Sequence, residues 1–149
     1  MSVEINNESD IEVESERILS MMVHHFSHLR LSPRADLSIL FINEKPMEDL
    51  HIKWMDEPGP TDVLSFPMDE LRPGNVEAEG ILGDIVICPQ VAQLQADAAG
   101  HTESEEIMLL ATHGLLHLLG FDHAEPEEEA EMFGLQRELL ESYEAEELS

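Results

Sequence analysis

The 149-residue chain has a single cysteine, few basic residues and no long apolar run. The lone Cys88 excludes an internal disulfide framework and suits a reducing cytoplasm. No apolar stretch approaches the ~20 residues that a membrane-spanning helix needs. The first residues, MSVEINNESD, have neither the basic nor the apolar segment of a secretory signal. The length favours one domain, and these features together predict a cytoplasmic protein with no membrane partner.

Positive charge is scarce: seven Lys and Arg stand against 33 Asp and Glu, which gives a net charge of −26 with His neutral. This balance excludes attraction to nucleic acid or to an anionic membrane through overall charge, although it leaves room for a local site. Residues 1–16 carry six acidic side chains, and residues 125–147 carry ten Glu against one Arg. We interpret both acidic segments as solvated surface, and we expect the end of the chain after about residue 141 to be mobile.

Hydrophobic periodicity and turn residues predict a mixture of strands and helices in one domain. Strands are predicted at 3–6, 36–43, 61–66 and 81–88, and helices at 14–30, 46–55, 89–100, 105–119 and from 126 onward. The helix that begins after Thr102 carries Glu105 three residues later, which is a capping box. Its second half is apolar nearly all round. The prediction is therefore an α+β fold with a small mixed sheet and helices packed around a buried central helix.

The central helix carries the pattern HGLLHLLGFDH. His113 and His117 stand four residues apart and so project from one face of the helix. Gly120 allows a sharp turn that returns His123 toward them. Buried imidazoles need polar partners, because each unpartnered one costs roughly 1–3 kcal/mol. The pattern predicts that all three bind one metal ion, zinc above all, although nickel, copper and iron also accept imidazole.

Three protein ligands leave a fourth coordination position for water, which is typical of catalytic rather than structural zinc. The predicted chemistry is hydrolysis by the zinc-bound water. The spacing H-x-x-x-H-x-x-G-x-x-H also occurs in metzincin proteases, which need a Glu directly after the first His as general base. Gly114 occupies that position here, so a protease is not favoured.

The segment from His113 to His123, together with TDVLSFP at 61–67 and GDIVIC at 83–88, resembles the YbeY family of bacterial endoribonucleases over roughly residues 35–140. The resemblance implies a small α+β domain with one zinc bound by His113, His117 and His123. It implies a cytoplasmic endoribonuclease specific for single-stranded RNA. It also implies action in 16S rRNA 3′-end maturation and in late 70S ribosome quality control. The expected partners are single-stranded RNA, ribosomal RNA and the small ribosomal subunit; DNA is not expected.

The chain departs from the family pattern at one position. Members commonly carry an Arg six residues before the threonine of TDVLSF, and Met55 stands there in this chain. The nearest cations in the sequence are Lys53 and Arg72. We take Lys53 as a possible catalytic helper and Arg72 as the next candidate. On an extended loop Lys53 and Met55 would point to the same side, whereas in a helix their side chains would diverge.

Four further acidic or hydroxyl residues are candidates for roles around the site. Asp62 and Ser65 could line the cleft as catalytic helpers. Asp84, in a predicted buried strand, and Asp122, beside the third histidine, could orient a zinc ligand through a hydrogen bond. We interpret the near-adjacent histidines at 24, 25 and 28 as surface or core residues rather than a second metal site.

Three alternatives stay open at this point. The nucleophile could be water or the 2′-hydroxyl of the RNA. The protein could be a different zinc hydrolase. It could also be a non-catalytic, zinc-containing ribosome-assembly factor, an interpretation that the large negative charge favours because free RNA is repelled.

Overall fold

The computed structural model describes residues 2–149, which form four strands and five helices. Their bounds are β1 (Ser2–Asn7), α1 (Ser15–His28), β2 (Ala35–Phe41), α2 (Glu44–Met55), β3 (Val63–Pro67), β4 (Gly80–Ile87), α3 (Pro89–Ala99), α4 (Glu103–Leu118) and α5 (Pro126–Leu148). Every predicted element is present, with ends displaced by a few residues. Within residues 2–149 no helix is both long and apolar enough to cross a membrane.

The four strands form one mixed sheet in the order β1-β2-β4-β3. The strands β1, β2 and β4 run parallel, whereas β3 runs antiparallel to β4 and forms an edge of the sheet. The strands β2 and β4 are therefore the two central ones. Buried residues alternate with more exposed ones along β2, because one face of this strand meets the main core and the other meets a smaller one.

The sheet has apolar residues on both faces. The main core lies between the sheet and α1, α4 and α5, and it includes the fully buried Ile39, Ile85 and Leu115. A smaller cluster on the other face joins Met47 of α2 to Leu64 and Val86. The mixed sheet with its packed helices confirms the α+β prediction. The edge of β3 that no other strand covers lies beside α4.

Helix α4 is the buried central helix that the sequence predicts. The Thr102 side chain accepts a hydrogen bond from the Glu105 N–H, and the Glu105 side chain accepts one from the Thr102 N–H, so the capping box is formed. The helix packs against β3 and β4 at Gly114. A Cβ atom at Gly114 would lie 2.8 Å from Cγ2 of Ile85 and 3.2 Å from Oγ of Ser65. The glycine therefore lets the helix approach the sheet closely enough to place its histidines beside β3.

The end of the chain differs from the prediction. Residues after 141 were expected to be mobile, but α5 continues to Leu148. Tyr143 is buried with 4% of its surface exposed, and Arg17 of α1 donates two hydrogen bonds of 2.9 Å to the Glu147 carboxylate. The abundance of Glu concealed this packing, because a single apolar turn and one ion pair are enough to hold the last helical turns on α1.

Candidate metal centre

The end of α4 and the turn after it bring three histidines together. His113 and His117 lie on α4, and the chain then reverses at Gly120, whose φ of 96° is in the left-handed region that suits glycine. The ring centroids of His113 and His117 are 4.6 Å apart, and that of His123 lies 5.6 and 5.3 Å from them. One ring nitrogen from each histidine lies within 4.8 Å of the others. The predicted ligand group is thus assembled by the fold.

The geometry and the electrostatics of this group fit a metal ion. Nε2 of His113 and Nε2 of His117 are 3.1 Å apart, close to the edge of about 3.3 Å that a tetrahedron with metal–nitrogen bonds of about 2.0–2.1 Å requires. Burial, together with the neighbouring His113 and His123, lowers the pKa of His117. The neutral imidazole, which has a free lone pair, is therefore favoured. A set of three imidazoles suits zinc and other first-row transition metals.

Helix α5 supports the first histidine, a feature that the sequence analysis missed. Nδ1 of His113 donates a hydrogen bond of 2.8 Å to Oε1 of Gln136, which is 7% exposed. This bond places the proton on Nδ1 and leaves Nε2 free to bind a metal. Phe133 stacks on His113 with 5.8 Å between centroids and 21° between planes. A signal for Gln136 existed: it is a polar residue on the same helical stripe as Met132, Leu139 and Tyr143, all of which are buried.

The three histidines open into a cleft of about 400 Å³, which we call the central cleft. Its other walls come from Met55 and from residues 62–65 and 67. Oδ1 of Asp62 accepts hydrogen bonds from the Val63 N–H (2.7 Å) and from the Thr61 hydroxyl (3.3 Å). The Ser65 hydroxyl donates to the Gly114 carbonyl at 3.3 Å. Asp62 and Ser65 thus line the cleft, with their side chains bonded to the backbone.

The free edge of β3 also faces this cleft. The Cys88 N–H donates to the Asp62 carbonyl, and the Met68 N–H donates to the Leu82 carbonyl, each at 3.0 Å. In an antiparallel pair only every second residue exchanges backbone hydrogen bonds with its partner. These two bonds show that in β3 the even-numbered residues are the ones hydrogen-bonded to β4. The N–H and C=O of Ser65 therefore point away from β4, toward the free edge and the cleft. They provide a backbone donor and acceptor that no side-chain motif reveals.

Asp84 is not near the histidines, which corrects its proposed role in orienting a ligand. Ile85 contacts α4 at Gly114, so the preceding residue of β4 projects from the opposite face of the sheet. Asp84 is exposed there. The prediction treated β4 as buried on both faces, whereas α2 leaves part of the second face open to solvent.

Asp122 and Lys53 have local roles. Oδ1 of Asp122 accepts a 2.7 Å hydrogen bond from the N–H of His123, so this carboxylate orders the backbone of the turn rather than an imidazole. Lys53 lies in α2, which extends to Met55, and side chains two residues apart on a helix diverge by about 200°. Met55 lines the central cleft, and Nζ of Lys53 lies 5.2 Å from the centre of the Trp54 ring. The side chains of Lys53 and Met55 therefore diverge, as the sequence analysis expected for a helix.

The near-adjacent histidines of α1 form a hydrogen-bonded group inside the helical layer. Nδ1 of His24 and Nδ1 of His25 are 2.8 Å apart, and Nε2 of His25 lies 3.0 Å from the Thr112 hydroxyl. His25 is fully buried. Burial, with smaller effects from His24 and His28, lowers the pKa of His25 to about 3. These residues belong to the packing of α1 against α4 and α5, as the core interpretation predicted.

Comparison with known proteins gives one consistent result. The family model described as "Endoribonuclease YbeY" matches residues 3–144. Curated proteins named "Endoribonuclease YbeY" are similar along most of their length. The one from Clavibacter michiganensis subsp. michiganensis is 61% identical over 94% of each chain. The one from Thermobifida fusca is 58% identical over 94% of this chain and 92% of its own.

A solved structure supports the fold alone. The solution structure of a Thermotoga maritima protein has a TM-score of 0.62 and covers 93% of this chain and 87% of its own, at 24% identity. The family model and the relatives match the strands and helices that build the centre, including the histidine turn. The chain therefore belongs to the YbeY endoribonuclease family.

Proposed function

We propose that this protein is a cytoplasmic, zinc-dependent endoribonuclease that cleaves single-stranded RNA. The observation that carries the proposal is the group of His113, His117 and His123, which opens into a cleft walled by an unpaired strand edge. The relatives named endoribonucleases, at 58–61% identity, support the reaction class.

The three imidazoles would hold the metal, and each protein group around them has a separate task. When bound, zinc supplies a Lewis acid that polarises a phosphoryl oxygen or lowers the pKa of water. Gln136 keeps Nε2 of His113 directed at the metal position through its bond to Nδ1. The Ser65 N–H, at the free edge of β3, is placed to donate to a phosphate oxygen of the substrate. Met55 adds an apolar side chain to the wall of the cleft.

The size of the central cleft favours a flexible single strand. Clefts of roughly 300–1,000 Å³ enclose ligands of small-molecule size, so about 400 Å³ accommodates about one nucleotide at the metal centre. A base held in a rigid duplex cannot enter such a cleft without leaving its stack. A single strand enters at no such cost.

We further propose that the cellular substrate is ribosomal RNA. The expected tasks are maturation of the 3′ end of 16S rRNA and late quality control of 70S ribosomes, with the small subunit as partner. This part of the proposal depends on membership of the family. The net charge of −26 is consistent with it, because a protein that free RNA repels depends on a specific docking surface to reach its substrate.

The test combines metal content with turnover. Purified protein is stripped with a chelator and reloaded, bound zinc is measured by elemental analysis, and cleavage is followed on matched single-stranded RNA, duplex RNA and single-stranded DNA. We expect one zinc per chain, metal-dependent cleavage of single-stranded RNA only, and loss of both zinc and cleavage in His117→Ala. His28→Ala is the control, because it removes a histidine outside the centre. End-group analysis of the products then separates water from the 2′-hydroxyl as nucleophile.

Two outcomes would contradict the proposal. Full zinc occupancy without turnover on any RNA would favour the non-catalytic assembly factor. Cleavage that survives in the metal-free protein and in His117→Ala would show that the histidine centre does not perform the reaction.

A further inference from the structure

The central cleft continues past the histidines as a groove. Its middle segment, of about 320 Å³, shares Pro67 and His117 with the central cleft. Its far segment, of about 390 Å³, shares Leu119 and Gly120 with the middle one. Arg72 lines both the middle and the far segments. A strand of RNA whose cleaved phosphate lies at the histidines has a path along this groove for its neighbouring nucleotides.

Several of the basic residues already have carboxylate partners. The chain has seven Lys and Arg in all. Three of them are paired with carboxylates by ion pairs of 2.9–3.1 Å: Arg17 with Glu147, Arg34 with Glu79, and Lys45 with Asp49.

The remaining cations differ in where they lie. Lys53 stands over the Trp54 ring, and Arg30 follows the end of α1. Arg137 lines another cavity, between α4 and α5, to which none of the three histidines contributes. Arg72 lines the middle segment of the groove together with His117, a predicted metal ligand.

The backbone at Arg72 is held in place. Leu71 beside it is buried in the main core. The Arg72 carbonyl accepts a hydrogen bond of 3.2 Å from the Asn75 N–H, and the Gly74 N–H donates to the Leu29 and Arg30 carbonyls at the end of α1. The Arg72 side chain itself is exposed. A guanidinium on an anchored backbone is well suited to hold one phosphate in two parallel hydrogen bonds.

The other charged residues around Arg72 limit what can bind there. Asp122, Glu128 and Glu131 line the far segment with it, and Asp69 and Glu70 line the middle one. These carboxylates repel phosphates, so attraction of a phosphate to this part of the groove depends on the Arg72 guanidinium. One guanidinium–phosphate contact there adds affinity without reading the base sequence.

We propose that Arg72 is a positioning residue that binds one backbone phosphate of the RNA in the groove beyond His117. The inference rests on the proposed function and deepens it, because it assigns the direction in which the substrate leaves the metal centre. An exposed, charge-assisted contact of this kind implies a rise in KM of roughly three- to ten-fold when it is lost, with little change in kcat. It also implies that the salt dependence of log(kcat/KM) becomes shallower by about 0.7, the contribution of one phosphate on a single strand.

The experiment compares Arg72→Ala and Arg72→Lys with Arg34→Ala, which removes the same charge from an exposed residue that lines no part of the groove. Each zinc-loaded protein is assayed for kcat, KM and their salt dependence on single-stranded RNA, and for Kd by fluorescence anisotropy with the same RNA. We expect Arg72→Ala to raise KM and Kd and to flatten the salt dependence, Arg72→Lys to restore part of both, and Arg34→Ala to match the parent. Melting temperature and bound zinc should be equal in all four proteins.

The inference is overturned if Arg72→Ala keeps the KM, Kd and salt dependence of the parent, or if Arg34→Ala changes them equally. Those results leave the proposed function intact, since the parent still cleaves. If the parent protein binds RNA but does not cleave it, the proposed function is wrong. The Kd values then still decide whether Arg72 binds the RNA.

Discussion

The close approach of α4 to the sheet leads to a prediction about two glycines in helices. Gly114 in α4 and Gly134 in α5 both lie inside helices, so replacement of either by Ala removes the same helix-propensity penalty of about 1 kcal/mol. Their surroundings differ. A Cβ at Gly134 meets nothing within 4 Å, whereas one at Gly114 would lie 2.8 Å from Cγ2 of Ile85.

The magnitude follows from that difference. Ile85 is fully buried and β-branched, so its side chain cannot change rotamer to make room for the new methyl group. Overpacking of this kind costs about 1–3 kcal/mol. Because the propensity gain is common to both variants, the difference in unfolding free energy between them isolates the cost of the contact with β4.

Thermal unfolding measures the difference. For a chain of this size 1 kcal/mol corresponds to about 2–4 °C in melting temperature. We expect Gly134→Ala to melt above the parent and Gly114→Ala to melt below Gly134→Ala by several degrees. The Gly114→Ala protein should keep its zinc, because the ligands move together with α4, but it should cleave RNA more slowly, because the histidines shift relative to β3. Equal stabilisation by the two substitutions would refute the close packing and the statement that position 114 has no room for a side chain.

The remaining predictions concern single side chains. Gln136→Leu should weaken zinc affinity about 10- to 100-fold, as is usual when the hydrogen-bond partner of a ligand is lost; unchanged affinity in a competition titration would remove Gln136 from the centre. Asp84→Asn should leave zinc content and cleavage at parental values, and a loss of zinc would contradict its placement on the far face of the sheet. The pKa of His25 is about 3 in the folded protein against 6.5 for an ordinary histidine, so the unfolded chain binds the proton more tightly and stability falls as the pH drops below about 6.5. Between about pH 7 and pH 5 this loss amounts to about 2 kcal/mol, and melting curves of His25→Gln should show a correspondingly smaller loss over that interval.

The sequence predicts most of the fold because the local signals agree with one another. The capping box at Thr102, the glycine at 120 and the apolar stretch between them all specify one helix and its end. The histidine pattern could be predicted for the same reason: its spacing is a property of one helix and one turn.

Residues supplied by other elements could not be predicted in this way. The helical stripe marks Gln136 as buried, but Gln136 reaches His113 only because α5 packs across α4, and no local pattern encodes that crossing. The role predicted for Asp84 was wrong because the sequence of an apolar strand does not show which of its two faces a neighbouring helix covers. The contribution of the Ser65 backbone depends on β3 being the edge strand, which is a matter of strand order.

The hydrogen bond between Gln136 and His113 makes the C-terminal helix part of the metal centre. Binding of an ion and docking of α5 are then linked equilibria, and linkage is reciprocal. The free energy by which the docked helix strengthens metal binding equals the free energy by which a bound metal stabilises the docked helix. The stability with which the 23-residue helix α5 docks should therefore depend on metal occupancy. Its amide protons should exchange faster with solvent in the metal-free protein, although it carries none of the ligands.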